Sequence, residues 1–247
     1  MSFEAILFDL DNTLILFDEA RFFEQYTRAI STFFDDILEP DEFQNRLLVS
    51  TQELIHNKGE QINIDYFMDR FSKGLHIDSD DLMKRFYNFY ETKFKELKPI
   101  TTPLNNAGHI IGNIARDGYK LVIASNPLLP LQAQYMRMQW AGISDIKFDL
   151  VTGIDNSSAC KPVIEYYSEI CNKINTPPSS CLMVGNDPFN DMIASNIGMK
   201  TYLTTDSSHM SIELSRELAE NMDIEFPMPD STGSLASLKA FIDSINE

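Results

Sequence analysis

The chain is short of positive charge. Its 20 lysines and arginines face 37 aspartates and glutamates, giving a formal net charge of -17 and a pI near 4.5. Nonspecific binding to nucleic acid or to an anionic membrane needs a basic face, so this balance argues against both roles. It also sets a condition. A site for an anionic substrate must bring its own positive charge, from a lysine, a metal ion or backbone N–H groups. Cysteine is scarce as well: Cys160, Cys171 and Cys181 form an odd set with no C-x-x-C pair. That argues against a disulfide framework or a zinc knuckle and leaves reduced, mostly buried thiols as the expectation. No apolar run exceeds four residues, and the start, MSFEAILFDLD, has no basic segment ahead of a long apolar one. Neither a signal peptide nor a membrane span is expected, and the expected location is the cytoplasm. Glycine (10) and proline (11) are few among 247 residues, and apolar content is 43%. This profile excludes disordered and fibrous classes and fits one large globular domain, or a core carrying an insertion.

What is present has the rhythm of a parallel α/β fold. Five short apolar runs read as buried strands: EAILFD (4–9), KLVIAS (120–125), FDLVTG (148–153), CLMVGN (181–186) and KTYLTT (200–205). Helical patterns lie between the later ones. TTPLNNAGHIIGNIARDG offers Thr102 as an N-cap, Pro103 in the first turn and Gly118 as a stop. PLQAQYMRMQWAG ends at Gly142, KPVIEYYSEICNKIN runs into Pro177 and Pro178, and PFNDMIASNIG closes at Gly198. A doubly wound, Rossmann-like α/β core is therefore expected over 1–17 and 100–247, with a polar loop from Glu220 to Ser234 before a last helix, SLASLKAFIDSI. Residues 18–99 have another texture, without β alternation and with Phe, Leu, Tyr and Met at helical spacing. They are expected to form an α-helical insertion of about four helices, one opening with Asp41 and Gln44 in capping-box positions and another over 78–97.

Open parallel sheets bind ligands beyond the carboxyl ends of their strands, so those ends are read together. They carry Asp9 and Asp11 after the first strand, Ser125 and Asn126 after the second, Lys161 after the third, and Asn186 and Asp187 after the fourth. Two carboxylates one residue apart repel each other unless a cation compensates. With Asp187 as a third carboxylate and no nearby His or Cys, the oxygen donors favour a hard cation such as Mg²⁺ over zinc. Lys161 adds positive charge and Ser125 a donor hydroxyl; Asn12, Thr13 and Asn126 stand beside them as candidate substrate contacts. This set supports phosphoryl transfer through an aspartyl-phosphate: one carboxylate attacks phosphorus while its neighbour protonates the leaving alcohol and then activates water.

DLDNT (9–13), the strand ending in Ser125-Asn126, Lys161-Pro162 and VGNDPFND (184–191) together resemble, in order, the four motifs of the haloacid dehalogenase superfamily. The inserted helices resemble its α-helical cap. Each motif alone is weak; four in order, each at a strand end or helix start, are specific, and the likeness spans nearly the whole chain. The resemblance implies Asp9 as nucleophile and Asp11 as general acid/base, with the Asp9 carboxylate and the Asp11 backbone carbonyl on Mg²⁺. It further implies Ser125 and Lys161 on the phosphoryl group and an acid of the fourth motif on the metal. Here the chain departs from the family, which commonly has Gly-Asp where this sequence reads Gly185-Asn186-Asp187. Asp187 is the preferred metal ligand because a carboxylate serves a hard cation better than an amide, with Asn186 and Asp191 in supporting positions or Asp191 on Lys161; a shifted register, with Asn186 in the ligand position, is the alternative. Asp11, absent from the dehalogenase branch, favours phosphate esters over C–halogen bonds.

The expected activity is a Mg²⁺-dependent phosphatase acting on a small phosphorylated metabolite. A sugar phosphomutase using the same intermediate is the nearest rival, and a phospho-accepting receiver module is a third reading, disfavoured by the helical insertion. Taken one at a time, the plainer readings are a turn for Ser125-Asn126-Pro127, a solvated side chain for Lys161, helix-start charges for Asp187 and Asp191, and a structural thiol for Cys160. His56, His76, His109 and His209 lack ligand spacing. Phe22, Phe23, Phe33, Phe34, Phe67, Phe71, Phe86 and Phe89 read as the insertion's own core, with one or two of them lining the substrate cleft, and Arg21, Arg28, Arg70, Lys73 and Arg85 as its candidates for specificity.

Overall fold

Four of the apolar runs become the centre of one parallel sheet. In the computed structural model, which describes residues 3–207 and 212–246, six strands lie in the order β5-β4-β1-β6-β7-β8 and every pairing is parallel. The strands are β1 (Ala5–Phe8), β4 (Lys120–Ile123), β5 (Leu150–Val151), β6 (Cys181–Gly185), β7 (Lys200–Thr204) and β8 (Ser231–Gly233). Alternation along them divides the core in two: Ile6, Phe8, Leu121, Ile123, Leu182 and Val184 pack on one face, and Ala5, Leu7, Val122, Ala124, Cys181 and Met183 on the other. Helices cover both faces, so the chain has the doubly wound α/β architecture expected of it. β8 is an addition. It forms inside the stretch expected to be a loop, as a three-residue edge strand too short and polar to show alternation.

Two small strands hold the insertion at its root. β2 (Ile15–Leu16) pairs antiparallel with β3 (Thr102–Pro103), and Leu104 N donates to Leu14 O at 2.9 Å. Thr102 and Pro103 are thereby drawn into a strand pair, so the helix expected to begin there starts later, as α5 (Ala107–Arg116), behind Asn106 in a left-handed conformation. Between the small strands lie α1 (Glu19–Ser31), α2 (Pro40–Glu53), α3 (Asn63–Phe71) and α4 (Ser79–Thr92). Pro40 takes the first helical position of α2 and Glu39 its N-cap, without a side-chain cap bond, so the Asp41–Gln44 capping box does not form. The helix expected over 78–97 stops at Thr92 and continues as a 3₁₀ segment, Phe94–Ile100, that ends in Pro99 and Ile100. Phe34, Phe43, Phe71, Phe86 and Phe89 fill the space between these helices in one core continuous with the first sheet face. Phe94 stacks on Trp140 of α6 (Leu131–Trp140), ring centroids 5.2 Å apart.

A second tie is made by backbone. Gly59 N, Asn63 N and Ile64 N donate to the carbonyls of Ser158 (3.0 Å), Ser157 (2.7 Å) and Ile154 (2.9 Å), and the Asn63 side chain donates to Ala159 O at 3.1 Å. The start of α3 is thus fastened to the loop that leads into Lys161. After that loop come α7 (Ile164–Ile174), α8 (Ile212–Asn221) and α9 (Leu238–Asn246). The segment expected as a helix after β6 is a 3₁₀ segment, Met192–Ile197, closed by Gly198 at φ +92°. Cys160, Cys171 and Cys181 are all free and buried, as expected, and burial pushes the Cys160 thiol up to about 12. That position is far above any thiolate chemistry at neutral pH, so Cys160 packs and does not react. His209 lies outside the described residues.

Candidate active site

The register of the sheet sets the site. Phe8 lies beside Ile123 and Val184, so the chain leaves all three central strands at one level. The next residues carry the chemistry. Asp9 N donates to Val184 O (2.9 Å) and Ala124 N to Phe8 O (2.7 Å), which extends the pairing one step and holds Asp9, Ser125 and Asn186 at a common edge. Lys161 reaches this edge from the β5–α7 loop. Its ammonium donates to Asp9 Oδ1 at 2.8 Å and to Asp191 Oδ1 at 2.5 Å, and all three side chains are nearly sealed from solvent.

Burial alone would work against the Lys161 charge, yet the carboxylates of Asp191 and Asp9 hold its pKa well above the ordinary lysine range. Burial pushes the Asp191 carboxyl up to about 7 against the pull of Lys161. The ammonium therefore stays charged beside Asp9 and supplies the local positive charge an anion site needs in so acidic a protein. Ser125 is fully buried and its hydroxyl has no hydrogen-bond partner. Its carbonyl, by contrast, accepts from Thr152 Oγ1 (2.7 Å) and Tyr166 OH (2.9 Å), so the backbone of Ser125 is fixed while its hydroxyl is left for a ligand.

The fourth motif departs from expectation. Asp187 does not join the other acids: its Oδ1 accepts from Phe189 N (2.8 Å) and Asn190 N (2.7 Å) and its Oδ2 from the Asn190 side chain (3.0 Å). It caps its own turn, the usual work of an aspartate followed by proline. Asn186 faces the site instead. The Thr13 hydroxyl lies 3.2 Å from Asp9 Oδ2 and 3.1 Å from Asn186 Oδ1, and it has one proton for two acceptors. Two oxygens converging on a single donor suit a hard cation, and the donors available are all oxygens. Among the described residues no three His, Cys, Asp or Glu side chains are grouped to hold a metal, so any ion here must use the amide oxygen and backbone as well as Asp9.

Asn12 is also redirected. Its φ is +53°, a left-handed turn that asparagine tolerates, and its side chain is spent locally, accepting from Phe17 N (3.0 Å) and donating to Glu19 (3.0 Å). It shapes the loop, with one side-chain N–H and one carbonyl lone pair used there. Asn126 accepts from Lys161 N at 3.2 Å and so joins the second motif to the third.

Gly185 has a steric reason to be glycine. A Cβ there would fall on the Asp191 carboxylate, whose Oδ2 accepts from Asp187 N at 2.9 Å. Gly185→Ala is expected to displace Asp191 from Lys161 and to cost about 1–3 kcal/mol of stability. Chemical denaturation checks it, with an unchanged midpoint as the contrary result.

One residue has no counterpart in the sequence reading. Arg137 of α6 is 3% exposed and forms an ion pair with Asp11; burial lowers its pKa to about 10, leaving it charged at neutral pH. Gln134, one turn earlier, accepts from the same guanidinium at 2.7 Å. A lone arginine within YMRMQW was the available signal, since that helix buries Gln134, Arg137, Met138 and Trp140 on one side. Asp11, Asn126 and Arg137 stand at one end of a cavity of about 340 Å³ that runs between α6 and the inserted helices. None of Arg21, Arg28, Arg70, Lys73 or Arg85 lines it. Arg70 instead stacks on Tyr66 and pairs with Glu53, and Arg85 pairs with Asp36.

The family model for haloacid dehalogenase-like hydrolases matches residues 3–196, and the chain belongs to that family. It is 24% identical over 201 residues to a pyrophosphatase PpaX of Bacillus cereus, covering 81% of this chain and 82% of the relative. A putative pyrophosphatase PpaX of Caldanaerobacter subterraneus is 21% identical over 201 residues, with 81% of each chain covered. Among solved structures, the chain resembles a predicted phosphoglycolate phosphatase of Haemophilus somnus (TM-score 0.57, 18% identity, 98% of each chain). It also resembles the L-2-haloacid dehalogenase of Xanthobacter autotrophicus (TM-score 0.55, 19% identity, 98% of this chain and 99% of the other). These structural likenesses establish the fold. Hydrolases of the family generally use a divalent metal ion, and no helix of the described residues is long and apolar enough to cross a membrane.

Proposed function

We propose that this chain is a cytoplasmic, Mg²⁺-dependent phosphatase that hydrolyses a small phosphomonoester through an aspartyl-phosphate on Asp9. The observation that carries this reading is the buried ammonium of Lys161 held between Asp9 and Asp191, with the unpartnered Ser125 hydroxyl at the same strand edge. In the mechanism, Lys161 and Ser125 bind the phosphoryl oxygens and orient the phosphorus against Asp9. Asp9 attacks and the ester oxygen leaves. Asp11, two residues along the loop, protonates that oxygen and then takes a proton from the water that cleaves the phosphoenzyme. Asp9, the Asp11 carbonyl and the Asn186 amide oxygen would hold the cation, with Asn186 replacing Asp187 in that role. The cation, when bound, offsets repulsion between the attacking carboxylate and the phosphate dianion. The helical insertion acts as the cap that covers the site and excludes bulk water.

Phosphate release from a panel of phosphomonoesters, with and without chelator, tests the reading. Removing divalent ions is expected to lower the rate by about two orders of magnitude or more, and added Mg²⁺ to restore it. Accumulation of an isomeric sugar phosphate in place of free phosphate would instead indicate a mutase. A rate indifferent to chelation would overturn the metal assignment.

A further inference from the structure

The cavity beside Asp11 is chemically lopsided. Asp11, Asn126 and Arg137 line it on the catalytic side and Glu19, Thr51 and Tyr87 add scattered polar groups, while most of the wall is built by Phe22, Tyr26, Phe67, Met68, Met83 and Phe86. Arg137 is the one lysine or arginine among the described residues that line it, and its guanidinium is already paired with Asp11. The Tyr26 and Tyr90 hydroxyls, which could have offered hydrogen bonds, lie 2.8 Å apart and serve each other. A leaving group with a carboxylate or a second phosphate would face the carboxylates of Asp11 and Glu19 with no free cation among the described wall residues, at a cost. A ring of hydroxyls would find only Thr51, Tyr87 and Glu19 as partners along the wall, again at a cost. An apolar body incurs neither.

We infer that the substrate of the proposed phosphatase is the phosphomonoester of a bulky, uncharged, apolar alcohol, aromatic by preference, whose body fills this cavity while its phosphate meets Lys161 and Ser125. The assignment rests on the phosphatase reading and deepens it. Size agrees. A space of about 340 Å³ falls within the range of small-molecule sites, roughly 300–1,000 Å³, and exceeds what a two- or three-carbon acid needs. Wall chemistry agrees too, because aromatic rings and methionine thioethers pack favourably against an aromatic guest. The acidic surface of the protein has no bearing on such a body, and the positive charge needed for the phosphate stays confined to the strand edge. The wall residues come from α1, α3 and α4, so the insertion selects the leaving group while the sheet edge handles phosphorus.

The experiment compares 2-naphthyl phosphate with glucose 6-phosphate, phosphoglycolate and pyrophosphate, using the whole chain with Mg²⁺ present. The expected result is a kcat/KM for 2-naphthyl phosphate at least about tenfold above each of the others. Met83 lies in the wall, half-buried and away from the catalytic groups. Met83→Glu is expected to lower that kcat/KM about tenfold or more, and Met83→Leu to preserve it. Calorimetric binding of 2-naphthyl phosphate to the two variants gives a readout that needs no turnover. If no ester is hydrolysed but Met83→Leu still binds this ligand about tenfold more tightly than Met83→Glu, the phosphatase reading fails and the cavity assignment stands. Hydrolysis of glucose 6-phosphate, phosphoglycolate or pyrophosphate as fast as 2-naphthyl phosphate overturns the assignment, as does equal binding by the two variants.

Discussion

Lys161→Met is expected to reduce phosphate release by about 10²–10³-fold and, separately, to destabilise the fold by about 3–5 kcal/mol. The two losses have different origins. Activity falls because the ammonium is the permanent positive charge at the strand edge, and a methionine of similar length cannot offset developing charge on the phosphoryl oxygens. Stability falls because Asp9 and Asp191 are buried on either side of Lys161, and without it these acids must either stay charged with no cation between them or take up a proton, and both cost free energy. Removing one partner of a buried pair is costlier than removing both. The double variant Lys161→Met/Asp191→Asn is therefore expected to recover about half or more of the lost stability and none of the activity, a coupling that a double-mutant cycle measures directly. Equal denaturation midpoints for wild type and Lys161→Met would show that the ammonium is not the counterion that the burial of these acids requires.

The same geometry explains which parts of the molecule were legible in the sequence. AILF, KLVI and CLMVG are legible because a strand buried on both faces is apolar over nearly all its length, and KTYLT because β-branched and aromatic residues favour strands. Strand ends are legible for the complementary reason: Asp9, Ser125 and Asn186 interrupt those runs where the backbone leaves the sheet. The choice between Asn186 and Asp187 was not legible. Both are polar and adjacent, and the turn through Pro188 decides which one faces Thr13 and which one caps the loop. Arg137 was hidden for a different reason. It lies 126 residues from its partner Asp11, and only the crossing of α6 over the end of β1 joins them. Thr102 and Pro103 were misread because a local signal for a helix start yielded to pairing with Ile15 and Leu16, a contact that spans the whole insertion. Of the ring positions in the insertion, Phe34, Phe71 and Phe89 are core, while Phe22, Phe23, Phe67 and Phe86 face the cavity, more than the one or two expected there, and helical spacing cannot separate the two.

Asp9→Asn is expected to lower phosphate release by about 10⁴-fold or more, because an amide cannot form the acyl phosphate on which the proposed route depends. The stability effect should carry the opposite sign to that of Lys161→Met. Asp9 and Asp191 share the Lys161 ammonium, so the buried cluster holds two carboxylates against one cation. Replacing Asp9 by its neutral isostere leaves one matched pair, Lys161 with Asp191, and relieves the repulsion between the two acids. The new amide oxygen can keep the Lys161 ammonium while the amide N–H₂ donates to Thr13 Oγ1, whose own proton goes to Asn186 Oδ1, so no hydrogen-bonding group is orphaned. The thermal midpoint is thus expected to match or exceed that of the wild type, which separates lost chemistry from lost folding in a single variant. Mass spectrometry of acid-quenched enzyme should show a phosphoryl adduct on Asp9 in the wild type and none in the variant. Phosphate release near the wild-type rate in Asp9→Asn would remove the nucleophile from this position, whatever the geometry around it.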